Sequence, residues 1–293
     1  MEILGHEKIM RTLERSLEKQ RLAHAYLFCG PEAVGKFQVA MWLAGRLSGQ
    51  EAKVSDLDVL VIAPEIEEKN GTKKEREIKL EKIRELRSFL SLTSTGGKNK
   101  VAIIRGAQNL NLSAQNALLK ILEEPPAHST IILVAEADQK ILPTVRSRCE
   151  VKRFHLLSDG ELEKIVPKDL PNRAEVLFWS CGRPGWSKEL VTQQGVLEER
   201  RLLLAEFREL LSMGLNERFS CAEILAKDVS ALLVKLSFWL LLLREEFVFQ
   251  KCALPLGPTK AFALAEHMAK SEETIRQTNA NVRVVLENLF LFF

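Results

Sequence analysis

No two of the five cysteines (Cys29, Cys149, Cys181, Cys221 and Cys252) have the C-x-x-C spacing, and their number is odd. Disulfide frameworks and clustered thiolate sites need closely placed pairs, so these residues read as free thiols in a reducing compartment. An excess of charge of one sign is missing too. The formal net charge is +3, which excludes a strongly basic nucleic-acid binder; any DNA contact would come from a local patch or from a partner. The first residues, Met1 to His6, lack a signal-peptide pattern, and a cytoplasmic location is expected. The apolar run over 229–243 is broken by Lys235 and closed by Arg244, Glu245 and Glu246. A membrane span wants about 20 apolar residues, so this run reads as a buried bundle helix and no membrane partner is expected. The sequence has no internal repeat and no low-complexity tract.

What is present is ordinary for a globular chain with real cores: 46% hydrophobic and 28% charged residues over 293 positions, enough for two or three domains. Ile9, Leu13 and Leu17 recur every four residues, which predicts an amphipathic helix. Short apolar runs at 25–29, 59–63, 101–104 and 130–134 predict strands. Between them, Val39, Ala40, Trp42, Leu43 and Leu47, then Ile83, Leu86 and Leu90, then residues 113–124, predict helices. Alternating strands and helices imply a parallel sheet covered on both faces. Residues 65–77 read as a charged, solvated loop. Lys73, Lys74 and Arg76 could form a DNA patch there, but five glutamates are interspersed. Gly96-Gly97 reads as a turn. After Phe154 the pattern changes to short helices with a turn at 182–185, and from about 196 onward nearly everything is helical, with one break near Pro255 and Pro258.

Gly30-Pro31-Glu32-Ala33-Val34-Gly35-Lys36 fits G-x-x-x-x-G-K between a strand and a helix, the context in which such a loop cradles phosphate. Backbone N–H groups and a helix N-terminus would face an anion, with Lys36 adding charge. Two metal-holding positions are nevertheless lost. The eighth position should be Ser or Thr, whose hydroxyl ligates Mg²⁺, and it is Phe37. The strand over 101–104 should end in an Asp, and Arg105-Gly106-Ala107-Gln108 follows it. Ala33 would also be strained if its φ were positive. Gly30, Gly35 and Lys36 therefore read as a vestigial phosphate loop. ATP hydrolysis is not expected, and neither is ATP as a resident cofactor.

Three stretches carry a family resemblance. Residues 113–126, Ser-Ala-Gln-Asn-Ala-Leu-Leu-Lys-Ile-Leu-Glu-Glu-Pro-Pro, and residues 141–149, Ile-Leu-Pro-Thr-Val-Arg-Ser-Arg-Cys, resemble two segments of bacterial sliding-clamp loader subunits. The second is their SRC motif. Residues 279–289 are similar to the last helix of that family's collar. His24-Ala-Tyr-Leu-Phe also fits, so the resemblance covers nearly the whole chain. A degenerate loop with an intact Ser-Arg-Cys points to the delta-prime type rather than to the ATPase type. The resemblance implies an AAA+ α/β (RecA-like) domain at 1–155, a small helical lid at 156–193, and an all-α collar domain for assembly at 196–293. It also implies the role of one member of the DNA polymerase III clamp loader. The expected partners are the ATPase (gamma/tau) and delta subunits, with the sliding clamp and primer-template DNA.

In that setting Arg148 is the expected arginine finger, reaching in trans to ATP held by a neighbour, with Ser147 helping to place it and Cys149 packing behind. The plainer reading is a surface arginine paired with Glu150. Leu119, Leu122, Pro125 and Pro126 are expected to pack the sheet, Lys120 to be a possible DNA contact, and Glu123 and Glu124 to cap or pair. Many family members carry a four-cysteine zinc module after the loop's helix. Residues 45–58 contain no cysteine, so no structural zinc and no metal ligand is expected. Two other classes compete: a self-sufficient AAA+ ATPase, disfavoured by Phe37 and Arg105, and a free-standing DNA-binding protein, disfavoured by the charge balance.

Overall fold

The computed structural model describes residues 3, 5–49, 57–69, 72–94, 99–193, 195–249 and 254–293. The chain divides into two compact units, the first built from residues 1–67 and 73–188, the second chiefly from 189–293.

In the first unit five strands form one parallel sheet. They are β1 (Ala25–Cys29), β2 (Val59–Ile62), β5 (Lys100–Arg105), β6 (Ser129–Ala135) and β7 (Glu150–Arg153), ordered β2-β5-β6-β1-β7. Parallel neighbours need crossovers, and helices supply them: α2 (Lys36–Ser48), α3 (Leu80–Ser91) and α4 (Leu112–Glu123), with α1 (Glu7–Glu18) preceding β1. The two-residue alternation of side chains splits the core. Tyr26, Phe28, Val101, Ile103, Ile132 and Val134 face α1 and α2, packing on Leu13, Val39 and Leu43. Ala25, Leu27, Ala102, Ile104, Ile131 and Leu133 face α3 and α4, packing on Ile83, Leu86, Leu118 and Leu122. The expected strands and helices are found within a residue or two of their expected ends. Asn111 caps α4, its side chain accepting from Ala114 N at 2.9 Å.

The charged segment over 65–77 is not a loop throughout. β3 (Ile66–Lys69) and β4 (Thr72–Glu75) form a two-stranded sheet. Arg76 pairs with Glu67 at 2.7 Å across it. The side chains of Lys73 and Lys74, the Gly96-Gly97 pair, Cys252 and residues 50–56 of the cysteine-free stretch lie outside what is described.

Shorter helices follow: α5 (Pro143–Arg146) before β7, then α6 (Asp159–Glu163), α7 (Arg173–Ser180) and α8 (Pro184–Thr192). The remaining helices are α9 (Val196–Ser212), α10 (Leu215–Leu225), α11 (Val229–Phe249), α12 (Pro258–Gln277) and α13 (Val282–Phe290). Leu232, Leu236, Trp239, Leu242 and Leu243 of α11 are buried, and Lys235 is ion-paired with Glu206 of α9. Among the described residues no helix is long and apolar enough to cross a membrane. The apolar tail is only partly open. Leu289, Phe290 and Phe293 are buried, whereas Leu291 and Phe292 are exposed, Phe292 lying 3.5 Å from the His267 ring.

Candidate functional site

The loop after β1 turns through three residues of positive φ. Gly30 takes φ +146° and Gly35, capping α2, takes φ +104°. At Gly30 there is no room for a side chain: a Cβ would lie 2.1 Å from the Phe154 carbonyl oxygen. Ala33 has φ +58°, the left-handed conformation that costs a non-glycine residue about 1 kcal/mol.

The loop's carbonyl groups are satisfied from within the chain. Lys36 is only 7% exposed, and its Nζ donates to Gly30 O at 2.7 Å and Pro31 O at 2.5 Å. His6 Nε2–H donates to Val34 O at 2.8 Å. Gly185 N, in the first turn of α8, donates to Ala33 O at 2.9 Å. Burial holds the Lys36 ammonium below its usual pKa, against the opposing pull of Glu136 and Glu32. Loss of solvent and then the Glu32 charge push the Glu136 carboxyl upward.

The two residues that replace the metal-holding groups meet each other. The Arg105 guanidinium, at the end of β5, stands 5.6 Å from the centre of the Phe37 ring. That is within cation–π range. A cation beside an aromatic face thus occupies the two positions at which the sequence pattern leads one to expect a hydroxyl and a carboxylate. The sequence names both substitutions, but not their contact, across 68 positions of chain.

Arg148 lies elsewhere. It follows α5 and precedes β7 by two residues, whereas the phosphate loop follows β1. β1 and β7 are parallel neighbours in register, Tyr26 beside Glu150 and Cys29 beside Arg153. The loop is therefore at the C-terminal ends of the strands and Arg148 at their N-terminal ends. Strands rise about 3.3 Å per residue, so roughly 13 Å of sheet separates the two levels. Gly30, Gly35 and Lys36 come together; Ser147 and Arg148 form a second locus.

At that locus Ser147 Oγ donates to Thr144 O at 3.0 Å, and Arg148 Nη1 donates to the same oxygen at 3.1 Å. Arg148 Nη2 lies 2.8 Å from Glu123 Oε1, at the end of α4. Glu150 is not its partner, because Glu150 pairs with Lys152 at 2.6 Å. The Arg148 side chain keeps 37% of its surface exposed. Cys149 packs against the core under α4, and burial pushes its thiol up to about 12. Arg146, two residues away, faces Asp138 at 3.6 Å instead.

A profile of the family described as "DNA polymerase III, delta subunit" matches residues 5–158. The chain is 30% identical over 210 residues to DNA polymerase III subunit delta' of Pseudomonas aeruginosa, spanning 64% of this chain and 62% of that one. It is 32% identical over 211 residues to DNA polymerase III subunit delta' of Bacillus subtilis, spanning 69% and 64%. The match thus covers less than two thirds of either relative. A DNA polymerase III gamma subunit-related protein from Thermotoga maritima superposes with a TM-score of 0.52, at 21% identity, over 96% of this chain and 97% of that one. That likeness establishes the fold: an AAA+ α/β sheet followed by helices.

Proposed function

The chain belongs to the DNA polymerase III delta-subunit family, and on that premise we propose that it is a non-catalytic, delta-prime-type member of a clamp loader acting in DNA replication. It assembles with the ATPase (gamma/tau) and delta subunits, and within that complex helps to place the sliding clamp on primer-template DNA. It hydrolyses no ATP of its own, holds no nucleotide and carries no structural zinc. Residues 1–155 are the nucleotide-binding-like domain, 156–193 the lid and 196–293 the assembly domain. The chain works in the cytoplasm.

The reading rests on the separation of the two loci. A guanidinium that stands at the N-terminal ends of the strands cannot serve the loop at their C-terminal ends. Arg148 keeps 37% of its side-chain surface exposed, and Thr144 O and Glu123 Oε1 engage one N–H on each terminal nitrogen, so three of its five N–H donors remain for the phosphate of an adjoining subunit. The loop itself offers a latched lysine, two carboxylates and no hydroxyl, which favours a structural role over turnover.

The test is DNA-stimulated ATP hydrolysis by the reconstituted complex. Arg148→Ala should lower it while the chain stays folded and assembled. Fingers supply roughly 10³ to 10⁵ in rate elsewhere, and the bulk loss should be smaller because the complex has further ATP sites. Arg148→Lys should rescue poorly, since an ammonium cannot make a bidentate contact. Arg146→Ala is the control. Equal effects of Arg146→Ala and Arg148→Ala would replace the finger with a general basic surface. ATP turnover by the isolated chain that Lys36→Ala abolishes would overturn the non-catalytic half.

A further inference from the structure

We infer that Glu123 is a positioning residue for Arg148: its carboxylate, at the end of α4, holds the guanidinium in the posture from which it serves a neighbouring subunit. The inference rests on the trans-acting reading of Arg148 and adds a residue to it.

Glu123 is badly placed for its own helix. It is the last residue of α4, where the macrodipole presents negative charge and an acidic side chain is locally unfavourable. Lys120, one turn earlier, could have neutralised it. The structure instead puts Arg148, 25 positions later, 2.8 Å from Glu123 Oε1. The same guanidinium is pinned on its other terminal nitrogen by Thr144 O at 3.1 Å. Two anchors on the two Nη atoms fix the plane of a long, flexible side chain.

The helix that supplies Glu123 is itself registered against the segment that supplies Arg148. Gln115 of α4, almost fully buried, donates from Nε2 to Leu110 O at 3.0 Å and accepts from Leu142 N at 2.8 Å. Leu142 caps α5, so this bond ties α4 to the start of α5 and sets the spacing between the segments that carry Glu123 and Arg148. Both charged side chains stay partly open, Glu123 at 49% and Arg148 at 37%. The pair orients the arginine without enclosing it.

A half-exposed pair of this kind is worth up to about 1 kcal/mol. Glu123→Gln in this chain should therefore lower the DNA-stimulated turnover of the reconstituted complex by roughly two- to fivefold. KM for ATP should be little changed, and the melting curve of the isolated chain should shift no more than it does for Arg148→Ala. The decisive variant is the double one. If Glu123 acts through Arg148, Glu123→Gln combined with Arg148→Ala should be no slower than Arg148→Ala alone. Glu124→Gln, one residue on, should leave turnover unchanged.

Full turnover with Glu123→Gln, or a rise in turnover, overturns the inference and leaves the finger standing if Arg148→Ala still slows the complex. An equal further loss in the Arg148→Ala background also overturns it, because the effect would then belong to α4 rather than to the pair. An Arg148→Ala complex with full activity removes the finger reading and this inference with it.

Discussion

At the loop end of the sheet four carbonyl oxygens, a lysine and an arginine all find partners inside the chain. At the other end Arg148 meets one carbonyl and one half-exposed carboxylate, and the rest of its fork faces outward. On the proposed function, both ends belong to motifs that handle phosphate. The first has its loop carbonyls and Lys36 engaged within the chain, so a substitution there should register in stability. The second is open, so a substitution there should register in the activity of an assembly and hardly in the stability of the chain. Predictions that cross these expectations are the ones that can break the contrast.

The largest effect should come from Gly30→Ala. The added Cβ meets the Phe154 carbonyl at 2.1 Å, and φ is +146°. Backbone strain and overpacking each cost of the order of 1–3 kcal/mol, so thermal unfolding should show a loss of roughly 3 kcal/mol or more. An unshifted melting curve would mean that the loop and β7 are not pressed together as described.

Next in size is Lys36→Met. It keeps the buried stem and removes the donor to Gly30 O and Pro31 O, leaving two carbonyls without it. The cost should be about 1–3 kcal/mol in the melting of this chain, with the ATP turnover of the complex unchanged. In a loop that handles nucleotide the order would be reversed. Loss of complex turnover without loss of stability would therefore move the loop end into the functional category.

Much of this contrast was legible in the sequence, for identifiable reasons. Strand and helix periods are local, and the alternation of Tyr26 and Phe28 against Ala25 and Leu27 translates directly into the two faces of the sheet. The missing hydroxyl at Phe37 and the missing carboxylate at Arg105 are single positions in a fixed motif. Two things were not legible, and they differ in kind. The strands β3 and β4 were hidden by charge, because glutamates and lysines mask alternation. The Asn70-Gly71 dipeptide was the available signal, although such a pair marks a hairpin most strongly between alternating hydrophobic residues, which are missing here. The choice of Glu123 over Glu150 as the partner of Arg148 had no such signal. It depends on where the end of α4 falls relative to α5, a distance set by packing and by Gln115 rather than by spacing in the chain.

The smallest effect, and the one that tests the contrast most closely, should come from Arg105→Ala. Arg105 and Arg148 have the same chemistry and both are solvent-accessible, so a complex that merely needs positive charge on this unit should lose activity with either. Arg105, however, faces Phe37 at 5.6 Å, and an exposed cation–π contact contributes about 0.5–1 kcal/mol. Arg105→Ala should lower the chain's stability by that amount and leave the DNA-stimulated turnover of the complex where it was. Arg148→Ala should do the opposite: a stability change within about 1 kcal/mol, as for other exposed pairs, and slower turnover. Phe37→Leu, which keeps apolar bulk but removes the ring, should match Arg105→Ala in stability, and the two changes together should cost less than their sum, because they remove one contact between them. If Arg105→Ala slows the complex as much as Arg148→Ala does, the inward-facing description of the loop end is wrong, and its arginine is meeting something outside the chain.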